Sequence, residues 1–284
     1  MIAIDWGTSS LRCYRLDARA NILESRASSY GILNVAPGQF PRVLDEQIAG
    51  WNETPIVMSG MVGSRQGWVE APYVECPAGF DEIARGLKEV SWNKRRAWIV
   101  PGVLCRGAVP DVMRGEEVQV LGVGHDGLFC LPGTHSKRVE VRNARIERFS
   151  THMTGEVYAV LKSHSILGRM MEEGKPDPRA FGEGVRRSGE AGGLLHQLFG
   201  VRAKGLMGEL DGAASASYLS GLLIGHELRS YDVPNVYLLG APELVKLYAR
   251  AAEALGIETH ALEPTAGTRA LHRLGVMLRA KEES

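Results

Sequence analysis

The sequence predicts an α/β protein built from two related domains, and three observations predict it. A short apolar strand at Ile2-Ala3-Ile4 runs through a glycine and hydroxyl turn into a second strand, and the order continues as β-β-β-α-β. The same order starts again at Gly127, about 125 residues later, a period too long for a solenoid and suited to a duplicated domain. The 284 residues, 44% of them hydrophobic, are enough for one large core or two smaller ones.

In the first copy, Trp6 to Ser10 reads as a turn, Leu11 to Asp17 as a strand and Ile22 to Arg26 as a third strand. Phe40, Val43, Leu44 and Ile48 recur at helical spacing. Pro55 ends that helix before the buried strand Ile56-Val57-Met58. In the second copy, Gly127 to Leu131 is a strand and 132–137 a turn. Val139 and Val141 alternate with charged residues in the next strand, and Arg145 to Phe149 forms the third. Helical segments follow before the buried strand Val236 to Leu239. Between the copies, 59–79 and 101–110 read as loops, and Asp111 to Leu121 as a helix with Asp111 as its N-cap. Late helices are predicted over Ser215 to Arg229, Leu244 to Leu255 ending at Gly256, and Thr268 to Arg279. The domain division expected from this pass is 1–124 and 125–284.

Lys+Arg and Asp+Glu both number 33, so the formal charge is zero, which argues against a nucleic-acid partner. Cys13, Cys76, Cys105 and Cys130 form no C-x-x-C pair, so packed thiols in a reducing compartment are expected rather than zinc or dithiol redox chemistry. The opening strand already holds Asp5 and lacks a basic leader, so no signal peptide is expected. The longest apolar stretches, such as Leu219 to Ile224, are too short for a bilayer. A cytoplasmic protein without a membrane partner is the expectation, and a homo-oligomer is left open.

The chemistry is concentrated in two turns. Backbone N–H groups of Gly7, Thr8 and Ser9 can form an anion-binding concavity, with hydroxyls at Thr8, Ser9 and Ser10 as further donors. Asp5, just before it, would repel a bare phosphate but accept one carrying Mg²⁺, because the hard cation bridges carboxylate and phosphate oxygens. The competing reading is a hairpin whose polar turn faces solvent. A second small-residue turn, Gly133-Thr134-His135-Ser136-Lys137, stands in the matching place with a cation, so two turns could hold the phosphates of one nucleotide. Neither fits the P-loop pattern.

These residues carry a resemblance. The duplicated order with D-x-G-T-S and G-T-H-S is similar to the superfamily of ATP-binding proteins that includes actin, hexokinase and Hsp70. More narrowly, the chain resembles the 2-dehydro-3-deoxygalactonokinase family in "IAIDWGTSSLR", "SGMVGSRQGWVEAPYVECPAG", "VPGV", "DVMRGEEVQVLG", "LPGTHSK", "THMTGEVYAVL" and "YLSGLLIGHEL", stretches spread over most of the chain. Arg138 departs from the tryptophan associated with that position.

The resemblance implies two ribonuclease-H-like domains facing across a nucleotide cleft, and transfer of the ATP γ-phosphoryl group to the 6-hydroxyl of 2-dehydro-3-deoxygalactonate, in galactonate catabolism. Asp5 would hold Mg²⁺. Gly7, Thr8, Ser9 and Arg12 would lie near the phosphates from the first domain, and Gly133, Thr134, His135, Ser136 and Lys137 from the second. Gly240 and Ala241, between a strand and a helix, would form the adenosine pocket. The hydroxyl needs a carboxylate to orient it or take its proton, and Glu116 and Glu117 stand where related sugar kinases carry theirs. Adjacent helical residues point about 100° apart, so one of the two serves, with Glu116 slightly favoured. A guanidinium fork suits the substrate carboxylate: Arg65 first, Arg114 second, in a loop with Gly60 and Ser64, with Trp68 and Tyr73 covering the sugar.

Other classes fit less well. A non-kinase ATPase of the same fold calls for polymerisation or a peptide-binding appendage, and a sugar-sensing regulator for a DNA-binding helix-turn-helix. A Cys130–His135 hydrolase fails because Cys130 alternates within a strand. A kinase for another sugar acid, such as the gluco epimer, stays open.

Overall fold

The structure, a computed structural model, describes residues 1–282. Its first unit begins β1 (Ile2–Trp6), β2 (Leu11–Leu16), β3 (Ile22–Ser28), α1 (Phe40–Gln47) and β4 (Ile56–Ser59). After β5 (Tyr73–Glu75) and α2 (Phe80–Arg85) come β6 (Lys88–Trp92), β7 (Arg95–Ile99), β8 (Gly102–Cys105), β9 (Asp111–Met113) and α3 (Glu116–Val123). The main sheet has the order β3-β2-β1-β4-β7-β6. Within it β1 is antiparallel to β2 and parallel to β4, and β4 is parallel to β7. Trp6, Leu11, Leu44, Ile48 and Met58 are fully buried in its core.

The second copy runs β10 (Gly127–Leu131), β11 (Ser136–Arg142), β12 (Arg145–His152), α4 (Thr154–His164), α5 (Pro178–Arg187), α6 (Gly193–Leu206), α7 (Gly212–Arg229) and β13 (Asn235–Leu238). It finishes with α8 (Pro242–Ala254), β14 (Glu258–Ala261) and α9 (Ala266–Glu282). Its sheet order, β12-β11-β10-β13-β14, repeats the first five positions of the other sheet, so the duplication read from the sequence is a duplication of topology. Here β10, β13 and β14 are parallel neighbours.

Two compact units result: Met1–Gly127 with Val139–Ser150 and the segment from Glu263, and Leu128–Arg138 with Thr151–Leu262. Chain order alone keeps everything after residue 124 together, whereas the structure returns α9 to the first unit. The reason is packing. The face of α9 bearing Ala270, Leu271, Leu274 and Leu278 is buried, the helix lies against α3, β1 and β4, and Arg269 Nε donates to the Gly122 carbonyl at 3.0 Å. An amphipathic helix does not encode which apolar surface it will cover. The 139–150 hairpin tip joins the first unit through paired hydrogen bonds between Ala78 and Ile146 of 3.0 and 2.8 Å.

Two local expectations are corrected. Asp111 caps no helix: Asp111–Met113 is the strand β9, antiparallel to β8, with Cys105 opposite Asp111 and Val103 opposite Met113. The helix starts only at Glu116, because Gly115 has φ +106°, a conformation that breaks a right-handed helix and suits glycine. The stretches read as loops, 59–79 and 101–110, contribute β5 and β8 to a three-stranded sheet β5-β8-β9. No helix among the described residues is long and apolar enough to cross a membrane.

Candidate active site

In the first unit Asp5 and the Gly60 loop stand at the carboxyl ends of two parallel strands, the edge where open α/β sheets hold ligands. Asp5 on β1 is in register with Ser59 on β4, so the Asp5 carboxylate and the Gly60 loop leave the sheet side by side. Gly60 has φ +94°, and a Cβ there would stand 2.7 Å from the Trp6 carbonyl oxygen and 3.5 Å from Asp5 Oδ1. Arg12, across the hairpin on β2, donates from Nη1 to Asp5 Oδ2 at 3.3 Å. Burial pushes the Asp5 carboxyl above its usual range, and the guanidinium of Arg12 pulls it back. Thr8 and Ser9 are exposed at the tip of the turn. The Gly7 N–H, expected to face an anion, instead closes the turn onto the Ser10 carbonyl at 2.9 Å. The turn is braced from behind by Ile32 N–H on the Gly7 carbonyl (3.0 Å) and Leu33 N–H on the Thr8 carbonyl (3.2 Å), a segment to which the sequence reading gave no role.

The start of α3 reaches the same place, since a Cβ on Gly115 would lie 3.2 Å from the Gly60 Cα. Two carboxylates then take different surroundings. Glu116 is half-buried, and its Oε2 accepts the Arg114 N–H at 3.2 Å. Glu117 has no exposed surface, and its Oε2 accepts the Gly115 N–H at 2.6 Å. Desolvation, reinforced by the neighbouring Glu116 charge, pushes the Glu117 carboxyl up to about 8, so it is largely protonated at neutral pH.

The two candidate arginines also differ. Arg65 has an 88% exposed side chain paired with Glu70 at 3.0 Å. Arg114 is buried, its guanidinium lies 4.5 Å from the Tyr73 ring centroid, and Nη2 donates to the Ala71 carbonyl at 2.8 Å. Arg114 Nε and Nη1 find no hydrogen-bond partner among the described residues. Ser64 lies just after a 3-10 turn at Met61–Gly63. Trp68 packs into the core, stacked on Phe40 at 6.4 Å and edge-on to Trp92 at 5.1 Å.

In the second unit, β10 and β13 are parallel, and the 132–135 turn and Gly240 leave their carboxyl ends together: a Cβ on Gly240 would be 3.3 Å from the Pro132 carbonyl oxygen. Thr134 and His135 are exposed. Ser136 and Lys137 are buried as the first residues of β11 and so are not at the tip. Helix α4 seats directly on the turn. The Glu156 N–H donates to the Thr134 carbonyl at 2.9 Å, the Glu156 carboxylate meets His135 Nε2, and a Cβ on Gly155 would stand 2.4 Å from the Gly133 carbonyl oxygen. Thr154, Gly155 and Glu156 went unassigned in the sequence, although T-G-E directly after a strand is a readable helix start.

Ala241 is exposed and caps α8. Further along the same helix, Leu247 and Arg250 line a cavity of about 510 Å³, together with Tyr158 and Lys162 of α4, Phe181 of α5 and Ser217 of α7. Its size suits a small organic ligand.

Taken unit by unit, sheet order and turns define a member of the ribonuclease-H-like class. The activator of a 2-hydroxyisocaproyl-CoA dehydratase from Clostridium difficile, solved with ADPNP, shares that fold at a TM-score of 0.52 and 12% identity, over 100% of this chain and 97% of that one. Within the class, the chain belongs to the 2-keto-3-deoxy-galactonokinase family, whose model matches residues 5–274. It is 37% identical to the 2-dehydro-3-deoxygalactonokinase of Escherichia coli (strain K12), covering 92% of each chain. A protein of Rhizobium meliloti (strain 1021), provisionally given the same name, is 38% identical over 94% of each chain. A crystal structure of a Sinorhizobium meliloti protein, also provisionally so named, superposes with a TM-score of 0.90 at 36% identity over 98% of both chains.

Proposed function

We propose that this protein is a cytoplasmic sugar-acid kinase that transfers the γ-phosphoryl group of ATP to the 6-hydroxyl of 2-dehydro-3-deoxygalactonate. The observation that carries the reading is that Asp5 and the 7–10 turn leave β1 beside the Gly60 loop at the end of β4, and that Gly115, which precedes the half-exposed Glu116, packs against Gly60, in a chain of this family.

Phosphoryl transfer asks a protein mainly to position groups and stabilise charge. Thr8, Ser9 and Arg12 supply donors for phosphate oxygens. Magnesium fits Asp5, since this ion is commonly bound by one carboxylate together with phosphate and water oxygens. Among the described residues no group of three or more His, Cys, Asp or Glu is placed to hold a metal. When bound there, Mg²⁺ would draw charge from the terminal phosphate. Glu116 orients the sugar hydroxyl and accepts its proton. Glu117 is unsuited to that role, being enclosed and protonated near neutrality. Arg65, on the exposed loop, takes the substrate carboxylate. Arg114 and Tyr73 form a stacked pair, and Trp68 packs the loop onto the core.

In the second unit, the 133–135 turn contacts phosphate, and the adenosine moiety occupies the cavity beyond Gly240 and Ala241, along α8. The first unit thus carries the groups read for the sugar acid, the metal and phosphate oxygens, and the second unit carries the 133–135 turn and the cavity along α8.

The test is ATP-dependent ADP release against a panel of 2-oxo-3-deoxy sugar acids, both epimers included, and simple aldoses. Turnover should be fastest with the galacto acid. ADP release that no sugar acid accelerates would overturn the reading, and a preference for the gluco epimer would correct the substrate.

A further inference from the structure

Helix α7 places one carboxylate among buried apolar residues. Glu227 is 3% exposed, between Ile224 and Leu228, both of which belong to the second unit's core. Four hydroxyls donate to it. Ser136 Oγ and Tyr231 OH reach Oε1 at 2.6 and 2.8 Å, and Thr154 Oγ1 and Tyr248 OH reach Oε2 at 2.5 and 2.6 Å. Enclosing a carboxylate costs several kcal/mol unless it is well hydrogen-bonded, and well-packed apolar residues would often serve stability as well or better. The network therefore calls for a purpose beyond filling space.

Its members suggest one. Ser136 immediately follows the exposed tip of the 133–135 turn. Thr154 is the first residue of α4; the next residue, Gly155, lies close against the Gly133 carbonyl, and the Glu156 N–H donates to the Thr134 carbonyl. One rigid carboxylate thus grips the turn on its C-terminal side and also grips the helix start that packs against it. Tyr248 of α8 and Tyr231 just after α7 hold the carboxylate itself in place.

We infer that Glu227 is a positioning residue for nucleotide binding: through Ser136 and Thr154 it fixes the shape of the turn that meets the phosphates. The inference rests on the reading of 133–135 as a phosphate-contacting turn.

The test compares wild type with Glu227→Gln, Ser136→Ala, Thr154→Val and Thr154→Ser, by steady-state kinetics with ATP and 2-dehydro-3-deoxygalactonate and by calorimetric titration with ADP. Glutamine keeps the volume but turns one acceptor into a donor. A charge-assisted hydrogen bond lost at this site should raise KM for ATP about tenfold in Glu227→Gln, with KM for the sugar acid within about twofold of wild type. Ser136→Ala and Thr154→Val should shift KM for ATP the same way by a smaller factor, and Thr154→Ser, which keeps the hydroxyl, should restore it. A packing role alone would lower stability without this split between the two substrates. If Glu227→Gln does not fold, the other three variants decide.

Wild-type KM for ATP in both Ser136→Ala and Thr154→Val, or equal shifts in both KM values, would overturn the positioning role and leave the kinase reading intact. If wild type phosphorylates no sugar acid, the kinase reading fails on its own, and ADP affinity then decides: weakening in the variants supports the role, while unchanged affinity, or no ADP binding by wild type, overturns it.

Discussion

The most quantitative consequence of this structure concerns Glu117. Its carboxyl is enclosed, one oxygen accepts the Gly115 N–H, and the other finds no partner among the described residues. Its folded pKa is about 8, against 4.5 for an ordinary glutamate. Below pH 4.5 the proton is bound in both folded and unfolded chains, and ionisation makes no difference to stability. Between 4.5 and 8 the unfolded chain releases the proton while the folded chain keeps it, so folding weakens by up to ~1.4 kcal/mol per pH unit. Over 8 − 4.5 = 3.5 units the loss reaches at most about 5 kcal/mol, and it persists above pH 8. Glu117→Gln has no proton to lose and should escape this decline. The assay is denaturant unfolding of both proteins from pH 5 to 9, followed by tryptophan fluorescence. All five tryptophans, residues 6, 51, 68, 92 and 98, lie in the first unit with Glu117, so the signal reports the right unit. The variant should gain on wild type by several kcal/mol across this range. A difference between the two that stays constant within about 0.5 kcal/mol at every pH would refute the enclosed, protonated carboxyl.

Three other outcomes are expected. Asp5→Asn should reduce turnover on the order of 10²–10³-fold while circular dichroism shows an intact fold; near-normal turnover would remove Asp5 from the chemistry. Gly60→Ala forces a Cβ to 2.7 Å from the Trp6 carbonyl at φ +94° and should cost about 2 kcal/mol or more in unfolding experiments. Arg65→Ala breaks an exposed ion pair, so stability should change by less than about 1 kcal/mol, while KM for the sugar acid rises about tenfold with KM for ATP unchanged.

The parts of the fold readable in the sequence are those whose signals are local. The strand, turn, strand rhythm at residues 2–16 and 127–142 is carried by adjacent residues, so the duplicated order and the place of Asp5 follow directly. The sheet β5-β8-β9 was not readable, because Tyr73–Glu75 pairs with Gly102–Cys105, far along the chain, and three-residue strands carry no periodicity. The true start of α3 hid behind Gly115, whose positive φ is a property of the folded backbone. Ser136 and Lys137 look like ligand donors in a list of polar residues, yet the β11 register buries both. Trp68 looks like a sugar platform, yet it completes an aromatic row with Phe40 and Trp92. The sequence gives only a slight preference for Glu116 over Glu117, since neighbouring acids differ chiefly in what encloses them, and the enclosure of Glu117 is a property of the fold. Glu227 stands between His226 and Leu228 with nothing local to mark it, and its four hydroxyl partners come from residues 136, 154, 231 and 248, which only the fold assembles.

Phosphorus NMR of the product formed from ATP and 2-dehydro-3-deoxygalactonate tests the central claim most directly. The kinase account predicts one new phosphate monoester at the primary 6-hydroxyl, appearing in step with ADP. ADP accompanied only by inorganic phosphate would contradict it.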